Sequence, residues 1–341
     1  MSNPTIAQRL KLGAAAEAAQ DIEKAAAFYV DVWRDAYGNG YASHGMQRIG
    51  KLLFARAIAV RDQNRLDEAI DLLVRSIELS PTSGEERAEL NRLIGPEPGP
   101  NLTKQCLVYP NAARGTAIYT EAVQRAIEFV TYGGIRGDIY EFGVLAGWTA
   151  GLFVTAMRDT QFYGDLYLFD SFHGLPREKS AVDKQSYDVE RGIWDAEMEL
   201  PESILSQLGM SLPAHIHKML SRIVGRDRIH IREGFFSESL KARLPTKAAI
   251  VHMDCDLYSS TAEVFQALER DDVLQDGTLI MFDDWNCNRG NPAFGQRRAL
   301  REFLDRHKGR YDVSPFMTYG FNCAAFILHD NGVVPVELRM A

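Results

Sequence analysis

Asp138-Ile139-Tyr140-Glu141-Phe142-Gly143-Val144-Leu145-Ala146-Gly147-Trp148-Thr149 (residues 138–149) passes from one periodicity to another within a short stretch. Asp138–Phe142 is a short, largely apolar run, the pattern of a strand buried on both faces. Glycines at 143 and 147 then open a turn, and a helical pattern begins at Trp148. A strand that ends in an acid and turns through glycine into a helix is the repeating unit of parallel α/β sheets. Further along the chain, Leu166–Phe169, Ile229–Ile231, Ala249–Met253, Thr278–Phe282 and Ala324–Leu328 read as strands of the same kind, with helical patterns between them. The sequence therefore predicts an α/β fold, an open and mostly parallel Rossmann-like sheet with helices on both faces. Such sheets bind ligands beyond the carboxyl ends of their strands, so the residues just after each strand carry the functional signal.

Upstream the composition changes. Residues 1–94 are rich in Ala, Leu, Glu and Arg and show helical periodicity. The stretch LLFARAIAVRDQNRLDEAIDLLVRSIELSP (52–81) places small residues at Ala57 and Ala69, where two antiparallel helices approach closely, and ends on a helix-stopping Pro81. It resembles a tetratricopeptide repeat, and Leu12, Gly13, Ala25 and Tyr29 fit the same template with an insertion around residues 37–45. A plain helical bundle reads equally well. Two repeats fall short of the number that stands alone, so this layer is expected to pack on the second domain or on a protein partner. Gly95-Pro96-Glu97-Pro98-Gly99-Pro100 breaks any helix. The expected organisation is a tetratricopeptide-like domain over 1–94, a linker over 95–103 and an α/β domain over 104–341.

Composition narrows the function classes. With 46% hydrophobic and 25% charged residues the chain is that of an ordinary folded protein. A net charge of −8 argues against a general nucleic-acid or anionic-membrane binder, which needs a basic face. No apolar run has the length of a membrane span, and charges stand where a signal peptide needs an apolar core. Cys106, Cys255, Cys287 and Cys323 form no CxxC and read as reduced thiols. A cytoplasmic protein is expected.

Five strand ends carry the chemistry. After the first strand, Glu141-x-Gly143-x-x-x-Gly147 lacks the spacing of the dinucleotide fingerprint and has no phosphate-loop lysine. An acid with a close-approach glycine suits a cationic moiety such as the amino group and sulfonium of S-adenosylmethionine, with strand-to-helix packing alone as the glycine's alternative role. After the second strand, Asp170 is placed to accept from ribose hydroxyls, with a helix N-cap as the alternative. After the third, Glu233-Gly234-Phe235 offers backbone contacts and an aromatic wall for adenine. The fourth and fifth strands end at His252-Met253-Asp254-Cys255-Asp256 and Phe282-Asp283-Asp284-Trp285. Adjacent strands bring Asp254, Asp283 and Asp284 to one edge. Three carboxylates with no lysine or arginine beside them repel unless a cation sits between them, and oxygen-only ligands favour Mg²⁺, Ca²⁺ or Mn²⁺. The alternative is that one or two of these acids only cap helices. Cys255 and Cys287 read as bystanders. His173, His215, His217, His230 and His252 read as structural.

In this order, GDIYEFGVLAGWTA, LFDSFHGLP, HMDCDLYSST and GTLIMFDDWNCNRG resemble the macrocin O-methyltransferase family over roughly residues 104–330. The resemblance implies an S-adenosylmethionine- and metal-dependent enzyme that methylates a sugar hydroxyl, on a glycosylated natural product or glycan. It implies that Glu141, Gly143 and Asp170 hold the cofactor and that Ser171, Glu233, Gly234 and Phe235 flank its adenosine. It further implies Mg²⁺, or another hard divalent cation, on Asp254, Asp283 and Asp284, with Asp254 also the general base. A homodimer and a lid over the acceptor at residues 179–220, with Trp194 as an aromatic wall, follow from the same likeness. The turn departs from it in reading Leu145-Ala146-Gly147 where relatives often carry Arg-Gly-Gly. Catechol-type methyltransferases share the strand-end acids, so a phenolic diol is an alternative acceptor. A repeat-based interaction module with an inactive cofactor domain is the alternative from another class.

Overall fold

The computed structural model describes residues 4–95, 112–177, 179–190 and 209–332. The linker at 95–103 lies almost wholly outside the described residues. So do Trp194 and most of the acidic stretch of the expected lid.

Strands form where the sequence places them: β1 (Asp138–Phe142), β2 (Leu166–Asp170), β3 (Ile229–Glu233), β4 (Ala248–Met253), β5 (Leu279–Phe282) and β7 (Cys323–Asp330). The sequence reading missed β6 (Tyr311–Tyr319). The sheet order is β3-β2-β1-β4-β5-β7-β6. β7 runs antiparallel to both its neighbours, and the pairs among β1 to β5 are parallel. β6 escaped notice because it is an edge strand with weak apolar alternation. Pro315, which donates nothing to a ladder, sits at a register shift within it.

Alternation along each strand divides the core in two. Ile139, Leu166, Leu168, Ile250, Leu279 and Met281 face α6 (Ala112–Tyr132) and α7 (Trp148–Asp159). Tyr140, Phe142, Phe169, Val251, Ile280 and Phe282 face the helices Tyr258–Arg270 and Gly295–Arg306. Both faces are covered, which explains the continuous apolar runs.

The N-terminal segment is all helical: α1 (Ile6–Ala18), α2 (Ile22–Asp35), α3 (Gly40–Asp62), α4 (Leu66–Leu79) and α5 (Gly84–Ile94). Its core is its own, built on Tyr29, Val32, Met46, Ile49, Leu53, Leu73 and Ile77. Glycine lets the helices close on Tyr29: a Cβ at Gly13 or Gly45 would stand 2.9 or 2.6 Å from that ring. Residues 40–45, where the template needs an insertion, begin the unbroken helix α3.

This layer docks on the sheet domain through buried polar contacts. Glu78 pairs with the Arg228 guanidinium and accepts the Gly225 N–H at 3.1 Å. Arg228 also donates to the Phe162 and Gly164 carbonyls at 2.8 and 2.5 Å. Burial pushes the Glu78 carboxyl up even with Arg228 beside it. Removing one member of such a pair strands the other charge, at about 3–5 kcal/mol. No helix among the described residues is long and apolar enough to cross a membrane.

Candidate active site

The parallel strands end level with one another. Gly143 N–H donates to the Phe169 carbonyl (2.9 Å), Asp254 N–H to Phe142 (2.8 Å) and Asp283 N–H to Met253 (3.0 Å). This ladder sets the residues that follow β1, β4 and β5 side by side. Gly143 has φ +94°, and a Cβ there would stand 1.7 Å from the Asp254 carbonyl oxygen. Only glycine passes so close to the neighbouring backbone. Beyond the strand ends lies a cavity of about 750 Å³, lined by Gly143, Asp170, Ser171, Gly234 and Phe235 on one side and by Asp254, Asp283 and Asp284 on the other.

The first side is internally bonded. Asp170 Oδ2 accepts the Val144 and Leu145 N–H groups at 2.6 and 2.8 Å, and its Oδ1 accepts the Phe172 N–H at 2.6 Å. The carboxylate thus braces the turn after β1. Ser171 Oγ donates to the Gly174 carbonyl (2.7 Å) and accepts the His173 N–H (3.1 Å). Phe235, 38% exposed, stands at the rim.

Two of the expected cofactor residues do not reach the cavity. Glu141 is 1% exposed, and the alternation of β1 turns it to the same face as Ile139. Its carboxylate lies 3.4 Å from His252 Nδ1, which the β1–β4 register sets beside it. Phe153 of α7 packs edge-on against that imidazole. Glu233 ends β3 exposed to solvent and is absent from the cavity lining.

The second side is acidic and under-bonded. Asp254, Asp256, Asp283 and Asp284 all line the cavity. Burial and the neighbouring Asp283 and Asp284 carboxylates push the Asp254 carboxyl well up. Burial, with Asp284 and Asp283, does the same to Asp256. Burial and Asp283 push the Asp284 carboxyl up to about 7. Asp284 Oδ2 accepts the Asp256 N–H at 3.1 Å, and Gln296 Oε1 accepts the Asp284 N–H at 2.9 Å. Asp256 was missed in the sequence. Its buried Oδ2 has no hydrogen-bond partner, and its backbone sits in the left-handed region at φ +58°. The alternate spacing of Asp254 and Asp256 was the available signal. Lys179 is close enough to lower the Asp256 carboxyl somewhat, so the cluster is not wholly without a cation.

Two cysteines touch the acids, whereas Cys255 Sγ stands 3.4 Å from Thr261 Oγ1. Cys287 Sγ lies 3.5 Å from Asp284 Oδ1, and Cys323 Sγ donates to Asp283 Oδ1 at 3.2 Å. Tyr119, also missed, lines the cavity from α6.

Among the described residues, no three His, Cys, Asp or Glu side chains stand gathered as they are to hold a metal ion. The donor chemistry still fits a hard cation. The candidates are all carboxylates, they raise one another's protonation, and one buried oxygen is unpartnered.

The model of the Macrocin-O-methyltransferase (TylF) family matches residues 115–314. A relative from Streptomyces olivaceus, the 8-demethyl-8-(2,3-dimethoxy-alpha-L-rhamnosyl)-tetracenomycin-C 4'-O-methyltransferase, is 24% identical over 56% of this chain and 66% of its own length. The Mycinamicin III 3''-O-methyltransferase of Micromonospora griseorubida is 26% identical over 54% of this chain and 67% of its own. The matched part thus spans about two thirds of each relative. Among solved structures, the O-methyltransferase NovP shares 19% identity at a TM-score of 0.46, covering 61% of this chain and 78% of that one. CalS11, a calicheamicin methyltransferase, shares 22% at 0.44, covering 72% and 93%.

Proposed function

The chain belongs to the macrocin O-methyltransferase family, and from that membership we propose that it moves a methyl group from S-adenosylmethionine to a sugar hydroxyl on a natural product. A hard divalent cation such as Mg²⁺ at the acidic side, and a homodimer, are part of the proposal. The observation that carries it is the single cavity joining the Gly143–Asp170 turn to the Asp254, Asp283 and Asp284 carboxylates. The similar proteins named for tetracenomycin and mycinamicin support a sugar on a natural product as the acceptor class.

When bound, the sulfonium supplies an activated methyl group and the cation lowers the acceptor hydroxyl's pKa, which otherwise lies far above neutrality. The protein's part is placement and proton management. The Gly143 turn, stiffened by Asp170, provides the close backbone approach for the methyl donor. Gly234 and Phe235 supply a wall for its adenosine. Asp283 and Asp284, with Asp254, would hold the cation. Asp254 ends β4, which lies between β1 and β5 in the sheet, and is the proposed acceptor of the hydroxyl proton. Asp256 is the second candidate for that role, favoured by its unpartnered buried oxygen. Fixing two reactants in a near-attack arrangement is worth about 7–11 kcal/mol.

Isothermal titration with S-adenosylhomocysteine, with and without Mg²⁺, tests the reading. Micromolar binding is expected, followed by turnover on a rhamnosyl or catechol acceptor that EDTA suppresses. Absence of binding under both conditions would remove the methyltransferase assignment and favour an interaction module. Turnover on the catechol alone would move the acceptor class, and full activity after metal stripping would remove the cation.

A further inference from the structure

Cys323 opens β7, and its place there is set by the sheet. β5 and β7 pair antiparallel with Phe282 opposite Ala324, so the next residues outward bring Asp283 beside Cys323. The thiol is 2% exposed and donates to Asp283 Oδ1 at 3.2 Å. The Tyr119 hydroxyl stands 3.0 Å from the same sulfur. Its ring is fixed edge-on against Trp148 and Tyr319. The turn at Gly320 makes room, since a Cβ there would stand 3.0 Å from the Tyr119 ring and 3.1 Å from Cys323 Sγ. Among the described residues, Asp283 Oδ2 has no hydrogen-bond partner. Cys287 stands on Asp284 in a similar way, itself accepting from Asn322 Nδ2 at 3.3 Å.

We infer that Tyr119 and Cys323 are positioning residues for Asp283: the tyrosine hydroxyl donates to the sulfur, and the thiol donates to one carboxylate oxygen, leaving the other for a hard divalent cation. The choice of donor matters. A thiol is a weak, neutral donor, so it orients the carboxylate without cancelling the charge a cation needs. A lysine or arginine in its place would compete with the ion. Partners behind a metal ligand of this kind typically set affinity by about 10–100-fold.

The inference rests on the cation reading above, and its test separates the two. Mn²⁺ is titrated into the full chain and followed by the electron paramagnetic resonance of the free ion, for wild type, Cys323→Ala, Cys323→Ser and Tyr119→Phe. Thermal midpoint and S-adenosylhomocysteine affinity are measured on each. The expected result is a Mn²⁺ affinity weakened about tenfold or more in Cys323→Ala and Tyr119→Phe, restored toward wild type in Cys323→Ser, with S-adenosylhomocysteine affinity unchanged. Wild-type Mn²⁺ affinity in Cys323→Ala and Tyr119→Phe would overturn the positioning role and leave the cation reading standing. A wild-type protein that takes up no Mn²⁺ would overturn both. Loss of S-adenosylhomocysteine affinity alongside Mn²⁺ affinity in both of those variants would make the pair merely structural, and the inference would fall.

Discussion

At one side of the cavity Asp170 commits both carboxylate oxygens to backbone N–H groups at 2.6 to 2.8 Å. At the other side Asp254, Asp256, Asp283 and Asp284 crowd together. There one buried oxygen has no partner and two of the contacts come from weak thiol donors. The residue type is the same and the surroundings are opposite. Asp170 is a brace, paired with the loop it orders. The acidic group is held under repulsion, with protonation pushed upward by burial and by like charge. A fold tolerates such a cluster at a cost in stability, and sites that bind cations or move protons are where that cost is usually met.

The largest effect that would sharpen the contrast is on chemistry. Asp254→Ala is expected to lower turnover on a rhamnosyl acceptor by about 10²–10⁴-fold while leaving S-adenosylhomocysteine affinity intact by titration calorimetry. Retained turnover with metal present would break the division of labour proposed here. Next comes the brace. Asp170→Ala leaves three backbone donors without their acceptor, at about 1–3 kcal/mol for each that stays buried. A lower thermal midpoint and a loss of S-adenosylhomocysteine affinity of about tenfold or more are expected, since each 1.4 kcal/mol is tenfold.

Asp284→Asn should do the reverse to stability. A carboxyl raised to about 7 in the folded state, against an ordinary value of 3.8, binds its proton more tightly folded than unfolded. Its contribution to stability therefore falls as pH rises from about 4 to about 7 and is flat above. Calorimetric scans without metal should show the variant gaining on wild type across that window, by roughly 2–4 °C for each kcal/mol. Millimolar Mg²⁺ should erase the advantage, because an ion that binds only the wild-type site stabilises it alone. An advantage independent of pH and metal would show that repulsion is not its source.

The smallest effect is a control away from the cavity. Arg270 and the Leu244 N–H hold the Asp271 carboxyl down to about 2. Its contribution is present above the ordinary aspartate range and is lost as pH falls toward 2. Asp271→Asn should cost about 1–2 kcal/mol at neutral pH, because the carboxylate is buried while its arginine partners reach the surface. Its deficit should vanish in scans near pH 2. A deficit that persists there would mean that the side chain acts through packing and not through charge.

Much of this is legible in the sequence. Asp138–Phe142, Ala249–Met253 and Thr278–Phe282 read as doubly buried strands because both faces are covered. The acids at 170, 254, 283 and 284 meet at the cavity because parallel strands deliver their carboxyl-terminal residues to one edge. What escaped notice depended on sidedness and pairing. Glu141 looked like a cofactor residue from its place near the strand end. One step of alternation turned it under α7 to face His252 instead. Glu233 ended its strand as expected but points to solvent. β6 was hidden by an edge strand's lack of a buried face.

The thiols mark the boundary most sharply. By itself the chain determined which strand ends carry carboxylates and that a glycine turn follows β1, because local periodicity and residue type are written residue by residue. Only the tertiary structure decided which of those carboxylates receives a firm donor, a weak one or none. Cys323 meets Asp283 across 40 residues of chain through an antiparallel register. Tyr119 meets Cys323 across 204. Such contacts follow from how strands and helices pack, and the sequence between the partners holds no trace of them.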